Sequence, residues 1–415
     1  MTVVLTRPTT ETPRVGARTR VRGTLAFLGP AVVAGIAYVD PGNVAVNFDA
    51  GSQFGYRLLW VVVAANVVAA FVQSLAAKVG LATGRSLAEV CRDRYRRPVV
   101  LLLWAQAEVT AMATDLAELV GGALALSLLT GLPLPCGAAL TALAACALLA
   151  LQRRGRRRFE LAIAGCFVAI GAGFLFCVLH AHPSAGGLAS GLVPGFAGSD
   201  SIVLATAVVG ATVMPHAIYV HSGLTSRQAR PSGELGRRRA LRLQRVDIAL
   251  AMGAAGLVNV FMLVIAATSL PGGLSGIPAY SAAMAETVGV TGVFLFLVAL
   301  LASGLASSGV GTLAGELVMA GFLHRRIPRP VRRAATLVPG MAVLLAGVPA
   351  TDALVQSQLV LGVGIPFTLV PLILATRDRG LMGALVNRHV TTVFAFCCAA
   401  AIIGVDVYST VAVLR

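Results

Sequence analysis

The chain has 415 residues, 57% of them hydrophobic and 12% charged, with a formal net charge of +16. So apolar a composition excludes a soluble globular domain and asks for bilayer spans of ~20 residues each. In a soluble chain the charge would point to nucleic acid; here it is confined to the gaps between apolar runs, so no nucleic-acid partner is expected.

In chain order, the apolar runs predict an all-α membrane protein of about eleven spans, near 24–48, 56–78, 99–129, 135–151, 159–180, 200–224, 246–269, 289–320, 334–348, 353–375 and 389–411. Residues 1–37, basic then apolar, have the outline of a signal peptide, but the polar cluster after them fits the interior of a span. Residues 1–23 are therefore read as a retained tail. Basic residues fall in alternate gaps. They occupy the tail (Arg7, Arg14, Arg18, Arg20, Arg22), the gap after span two (Arg92, Arg94, Arg96, Arg97) and RRGRRR after span four. GRRRALRLQR follows span six, HRRIPRPVRR span eight, and Arg377, Arg379 and Arg388 span ten. Only Arg57 and Arg415 fall on the other side. The positive-inside rule then places the N-terminus in the cytoplasm and the C-terminus outside a plasma (inner) membrane. Seven cysteines lie scattered without CxxC spacing and read as small buried hydrophobes rather than a metal or disulfide framework.

The first span contains YVDPGNVAVN, which sets Asp40, Pro41, Gly42 and Asn43 at bilayer depth. Proline removes a helix hydrogen bond and glycine loosens the backbone beside it. The freed groups are tolerated only where protein or water satisfies them, and an intramembrane acid is a functional-site hypothesis by default. The sixth span is interrupted likewise, at Met214-Pro215-His216. If spans one to five and six to ten are two repeats, 24–180 and 200–375, the breaks occupy the first span of each. Five is odd, so the second repeat is inverted, and span 389–411 stands outside both. Paired interrupted spans are the best sequence pointer to a transporter's midplane site.

Asp40 supplies an anionic oxygen, Asn43 a carbonyl oxygen and Met214 a thioether, with backbone carbonyls expected from Ala37 and Ala211. Oxygens alone suit magnesium or calcium, whereas the sulfur favours a softer first-row divalent ion. In span three, Glu108, Asp115 and Glu118 share one helix face at 3.6 residues per turn. Three intramembrane acids suggest a proton relay, and His216, two residues past Met214, could link the metal site to it. His180 and His182 in HAHP could capture metal at an external mouth, but two ligands in a gap read more naturally as a solvated loop.

DPGN in span one with MPH in span six is the pairing that marks the Nramp divalent-metal transporters, among them bacterial proton-dependent manganese transporters. LGPAVVAGIAYVDPGNVAVNFDAGSQFGYRLLW, QSLAAKVGLATGRSLAEVC, ATDLAELVGGAL, GATVMPHAIYVHSGL and SSGVGTLAGELVM resemble Nramp segments in the expected order, over about residues 24–375. The resemblance implies a LeuT-like fold with a five-plus-five inverted repeat, unwound helices one and six, and an eleventh helix. It makes Asp40, Asn43 and Met214 metal ligands together with the Ala37 and Ala211 carbonyls, and brings in Gln358 in some conformations. It also casts Asp115 and Glu118 in the proton path, with Arg332 and Arg333 as inner partners. From sequence alone those arginines read as ordinary cytoplasmic charges. Glu316 stands where the family commonly has glutamine, and Ala320 where glutamate is frequent.

The expected function is proton-coupled import of manganese(II) and iron(II), with cobalt(II) and similar ions, by a monomer lacking any resident cofactor. A transporter of amino acids or other organic cations is the alternative on the same fold. A membrane enzyme pairing Asp40 with His216 lacks a nucleophile motif, an HExxH and a second metal-binding cluster. A cation channel would show unsaturable flux without proton movement.

Overall fold

The computed structural model describes residues 30–153, 156–228, 233–270, 272–325 and 327–413. The basic N-terminal tail, the start of the first span, part of RRGRRR and Arg415 lie outside the described residues. Within them every regular element is helical.

The first expected span is two helices, α1 (Pro30–Ala37) and α2 (Pro41–Phe54), separated at Tyr38–Asp40. Asp40 has extended backbone (φ −78°, ψ 165°) and caps α2 by accepting the Asn43 amide at 2.8 Å. The break is thus a helix stop followed by a regular, proline-led start. A 3₁₀ turn leads into α3 (Leu59–Thr83), then come the short α4 (Leu87–Arg94), α5 (Arg97–Thr130), α6 (Leu134–Arg153) and α7 (Arg156–Ala181). The expected loop at 180–199 carries a further short helix, α8 (Ala185–Gly191).

The sixth span is also two helices, α9 (Ser199–Thr212) and α10 (Pro215–Ser226), with Pro215 leading the second. After α11 (Gly233–Ser269) comes α12 (Ile277–Leu323), which differs from the expected 289–320. Gly289 has φ 71°, so this stretch is two helices met at a kink that only glycine adopts without strain. The chain closes with α13 (Arg329–Leu345), α14 (Ala350–Thr376), α15 (Arg379–Met382) and α16 (His389–Val413).

Among the described residues, eight stretches are long and apolar enough to cross a membrane. Three of the eleven expected spans are not separate members of that set. The first merges with the second from Pro41 onward, α6 has only a shorter apolar stretch at Leu134–Ala150, and α13 has 17 residues with Pro339 inside it.

Small residues let the bundle close on the breaks. Pro41 is wedged between α5 and α12: a Cβ on Gly121 would stand 2.1 Å from the Pro41 Cβ, and one on Gly304 would stand 3.3 Å from its Cγ. Ser303 of α12 donates to the Val39 carbonyl, which the break has left without a helical partner. Contacts between gaps sort into two ends. Arg94 pairs with Asp378 at 2.6 Å, Arg92 donates to the Gly321 carbonyl and Lys78 to Asn387, which joins the basic gaps after spans two, eight and ten. At the other end Trp60 donates to the Gly195 carbonyl, Ser52 to the Leu274 carbonyl and Ile277 to Thr351. The basic gaps after spans two, eight and ten thus share one end of the molecule.

Candidate metal site between two broken helices

Pro41 lies four residues after Ala37, and Pro215 four after Ala211. Each proline occupies the position whose N–H would close the helix bond to that alanine's carbonyl, and neither has an N–H to give. The two carbonyls also lie in the last turns of α1 and α9, where the helix dipole is negative. Both broken helices therefore present unspent oxygen and partial negative charge at the same kind of place. Ala37, Asp40, Asn43, Ala211, Met214 and Gln358 are all buried.

Gln358 of α14 touches both breaks. Its Nε2 is 3.5 Å from Asp40 Oδ2, and a Cβ on Gly42 would stand 1.7 Å from that same nitrogen. Its backbone carbonyl faces α9, where a Cβ on Gly210 would come within 2.2 Å. Its Oε1 is buried with no hydrogen-bond partner. An orphaned buried amide oxygen beside a buried carboxylate is a ready pair of donors for a cation.

Met214 is fully buried at the N-cap of α10, with extended backbone (φ −77°, ψ 122°), and makes no side-chain cap. Helix α10 packs against α1, and Met214 and Ala37 belong to one continuous buried core. Asn43 is more committed than the sequence suggests. Its Nδ2 donates to the Tyr38 carbonyl at 2.6 Å and to Asn259 at 2.8 Å, while its Oδ1 accepts from Asn47 at 2.6 Å. A carbonyl oxygen has a second lone pair, so Oδ1 retains room for one more partner.

The acids of α5 face α13 and not solvent. Arg332 holds Glu108 in a two-pronged bond at 3.1 and 2.8 Å. Arg333, 4% exposed, pairs with Asp115, lies 3.5 Å from Glu118 and donates to Ser308. Read from sequence alone as ordinary cytoplasmic charges, both arginines are instead buried counter-ions of intramembrane acids. One Glu118 oxygen, Oε1, has no partner. His216 is buried on α10 with Nδ1 3.4 Å from Thr114 Oγ1, one residue from Asp115. It thus spans the gap between the second break and the acid-bearing helix.

His180 bonds the carbonyl of Phe176 in its own helix and stacks on that ring, at a centroid distance of 4.0 Å. His180 therefore sits in the last turn of α7 rather than in the loop expected from the sequence. Glu316 is half-buried and lines a cavity of about 390 Å³ with Arg227, Arg325 and Arg332.

Two polar chains escaped the sequence reading. Asn66 of α3 accepts from Asn259 of α11 at 3.1 Å, and Asn259 accepts from Asn43, which ties the first break to two neighbouring helices. His221 bonds Gln73 at 2.7 Å and Gln244 at 3.3 Å, and Gln73 donates to Tyr38 at the first break. The available signal was amides and a histidine inside apolar runs, each a site hypothesis by position alone.

Two discontinuous helices meeting inside a helical bundle, with freed carbonyls and a buried acid between them, define a secondary transporter of the LeuT-like class. A structure of Mhp1, a nucleobase-cation-symport-1 family transporter, has the same fold, at a TM-score of 0.63 and 17% identity over 92% of this chain and 89% of that one. The model of the Nramp family, described as natural resistance-associated macrophage protein-like, matches residues 31–412. A divalent metal cation transporter MntH of Deinococcus radiodurans is 46% identical over 392 residues, 94% of this chain and 90% of the relative. A crystal structure of the Eremococcus coleocola manganese transporter superposes with a TM-score of 0.83 at 28% identity, covering 97% of this chain and 89% of that one. This chain belongs to the Nramp family. It is accordingly a multi-pass membrane transporter and not an enzyme.

Proposed function

We propose that the chain imports divalent transition-metal ions, manganese(II) foremost and iron(II) and cobalt(II) with it, in symport with protons and by alternating access. The observation that carries this reading is the convergence at Gln358: one side chain touches Asp40 and Gly42 of the first break while its backbone abuts Gly210 of the second. Relatives named as divalent metal cation and manganese transporters support the substrate class.

In this account Asp40, Asn43 and Met214 hold the ion through two oxygens and a sulfur. The carbonyls of Ala37 and Ala211 complete the cage with Gln358. One negative charge against a divalent ion gives the moderate affinity that release demands, and the thioether tilts selection away from calcium. The ion neutralises Asp40, and the proton that leaves it passes by way of His216 to Asp115 and Glu118. Arg333 stabilises the ionised forms of both acids, and the Arg332–Glu108 pair lies beyond them on the same helix face. Rocking of the two repeats, 24–180 and 200–375, then exchanges outer for inner access, with the N-terminus cytoplasmic and the C-terminus outside. A single subunit in the plasma membrane suffices, because every proposed ligand lies in one chain. An amino-acid substrate fits poorly, since Asp40 sits at the N-terminus of α2, where a substrate carboxylate would otherwise be received.

Manganese uptake into proteoliposomes, with and without an inward proton gradient, tests the coupling. Met214→Ala should retain some uptake but lose discrimination against calcium. A variant that transports and discriminates like the parent refutes the role given to the sulfur.

A further inference from the structure

Asp406 takes no part in the site above. It lies on α16 about 26 Å along the helix from His389, at 1.5 Å per residue. It is 6% exposed, and neither carboxylate oxygen has a hydrogen-bond partner. It opens on a crevice of about 200 Å³ in the seam where α16 packs against α9 and α14, walled by Thr206, Leu359, Val360, Val363, Ser409 and Thr410. Two of the three hydroxyls spend their hydrogens on backbone: Thr206 bonds the Ile202 carbonyl at 2.9 Å, and Thr410 bonds the Asp406 carbonyl at 2.8 Å. The ionisable residues of the packed helices are Asp200 and Asp352, near the N-terminal ends of α9 and α14, and His389, Cys397, Cys398 and Tyr408 on α16. None of these lines the crevice.

An unpaired carboxylate at this depth bears the full desolvation cost of its charge, and a proton removes that cost. A hard metal cation would need six or more oxygens, whereas half of this crevice wall is hydrocarbon from α14. The seam also abuts the candidate cage. A Cβ on Gly362 would stand 3.2 Å from Asp406 Oδ1 and 3.7 Å from the Gly210 Cα, and Gly210 precedes Ala211. Ionising Asp406 requires water in the seam, and that loosens α16 from the two helices that carry Ala211 and Gln358.

We propose that Asp406 is a second proton-binding site, separate from the α5–α13 charge network. It holds its proton while α16 is packed on α9 and α14 and releases it when that seam opens.

Infrared difference spectroscopy of the purified, metal-free full chain in lipid, taken from acid to alkaline pH, reads this directly and independently of which ion is the cargo. The parent should show a protonated-carboxyl stretch that fades on alkalinisation. Asp406→Asn should lack it, and Asp406→Glu should return it at a shifted frequency. In proteoliposomes the parent should lose several-fold more manganese uptake on alkalinisation than Asp406→Asn. The proposal is overturned if the carboxyl band is the same in parent and Asp406→Asn, or if it persists unchanged at alkaline pH. It is likewise overturned if sodium or potassium abolishes the band at constant pH, which would mark a metal-cation site, or if the two uptake profiles superimpose.

Discussion

Gly42→Ala and Gly210→Ala add the same methyl group on opposite sides of Gln358, and their effects should separate. At Gly42 the new Cβ would stand 1.7 Å from Gln358 Nε2, against an ordinary contact of 3.4 Å, so the amide must retreat by about 1.7 Å. That atom is the far end of a flexible side chain, and the retreat breaks its 3.5 Å approach to Asp40 at little cost to the fold. Losing one hydrogen-bond-sized interaction is worth about 1 kcal/mol, or about five-fold in affinity. At Gly210 the new Cβ meets backbone, the Gln358 carbonyl at 2.2 Å and the Gly362 nitrogen at 2.8 Å. Helices α9 and α14 must then part by about 1.2 Å, and overpacking of this kind costs about 1–3 kcal/mol of stability. Calorimetric titration with manganese and thermal unfolding in detergent measure the two effects. Gly42→Ala should weaken binding about five-fold with an unchanged melting temperature, whereas Gly210→Ala should melt earlier. If Gly42→Ala destabilises as much as Gly210→Ala while binding manganese like the parent, Gln358 is a packing residue and the reasoning fails.

Arg333→Gln strands Asp115 and Glu118 without their buried counter-ion, a loss of about 3–5 kcal/mol. Adding Asp115→Asn should recover part of the melting temperature, and equal melting of parent and single variant would show that the pair contributes nothing. At the surface, Arg94 and then the backbone amide of Leu381 hold the Asp378 carboxyl below the usual carboxylate range. A lowered folded value means the bridge stabilises above the unfolded value and weakens as pH falls through the folded one. Asp378→Asn should therefore lower stability at neutral pH by no more than the about 0–1 kcal/mol of an exposed pair, leave uptake unchanged, and melt like the parent once acid has protonated Asp378.

The breaks were legible because proline, glycine and aspartate stand out against an apolar run, and their local chemistry alone dictates an unwound segment. The spacing of Glu108, Asp115 and Glu118 likewise fixed which face of α5 they share. Their partners were another matter. Arg332 and Arg333 sit in a basic cluster like the other inner gaps, and only packing of α13 onto α5 turns them inward. The kink at Gly289 was hidden for a related reason, since one glycine in an apolar helix leaves no mark on hydropathy and acts only through its backbone angle. The amide chain from Asn43 through Asn259 to Asn66 joins three helices far apart in sequence, so no local pattern announces it. Short helices such as α4 escaped because their signal is a capping box, Ser86 with Glu89, and not a hydrophobic period.

X-ray absorption at the manganese edge, on the ion bound to the full chain, addresses the two-helix grip itself. The account predicts a shell of oxygens plus one sulfur scatterer, with the sulfur lost in Met214→Ala and binding lost in Asp40→Ala. An all-oxygen shell, the same in parent and Met214→Ala, would show that the second break does not hold the ion through its thioether.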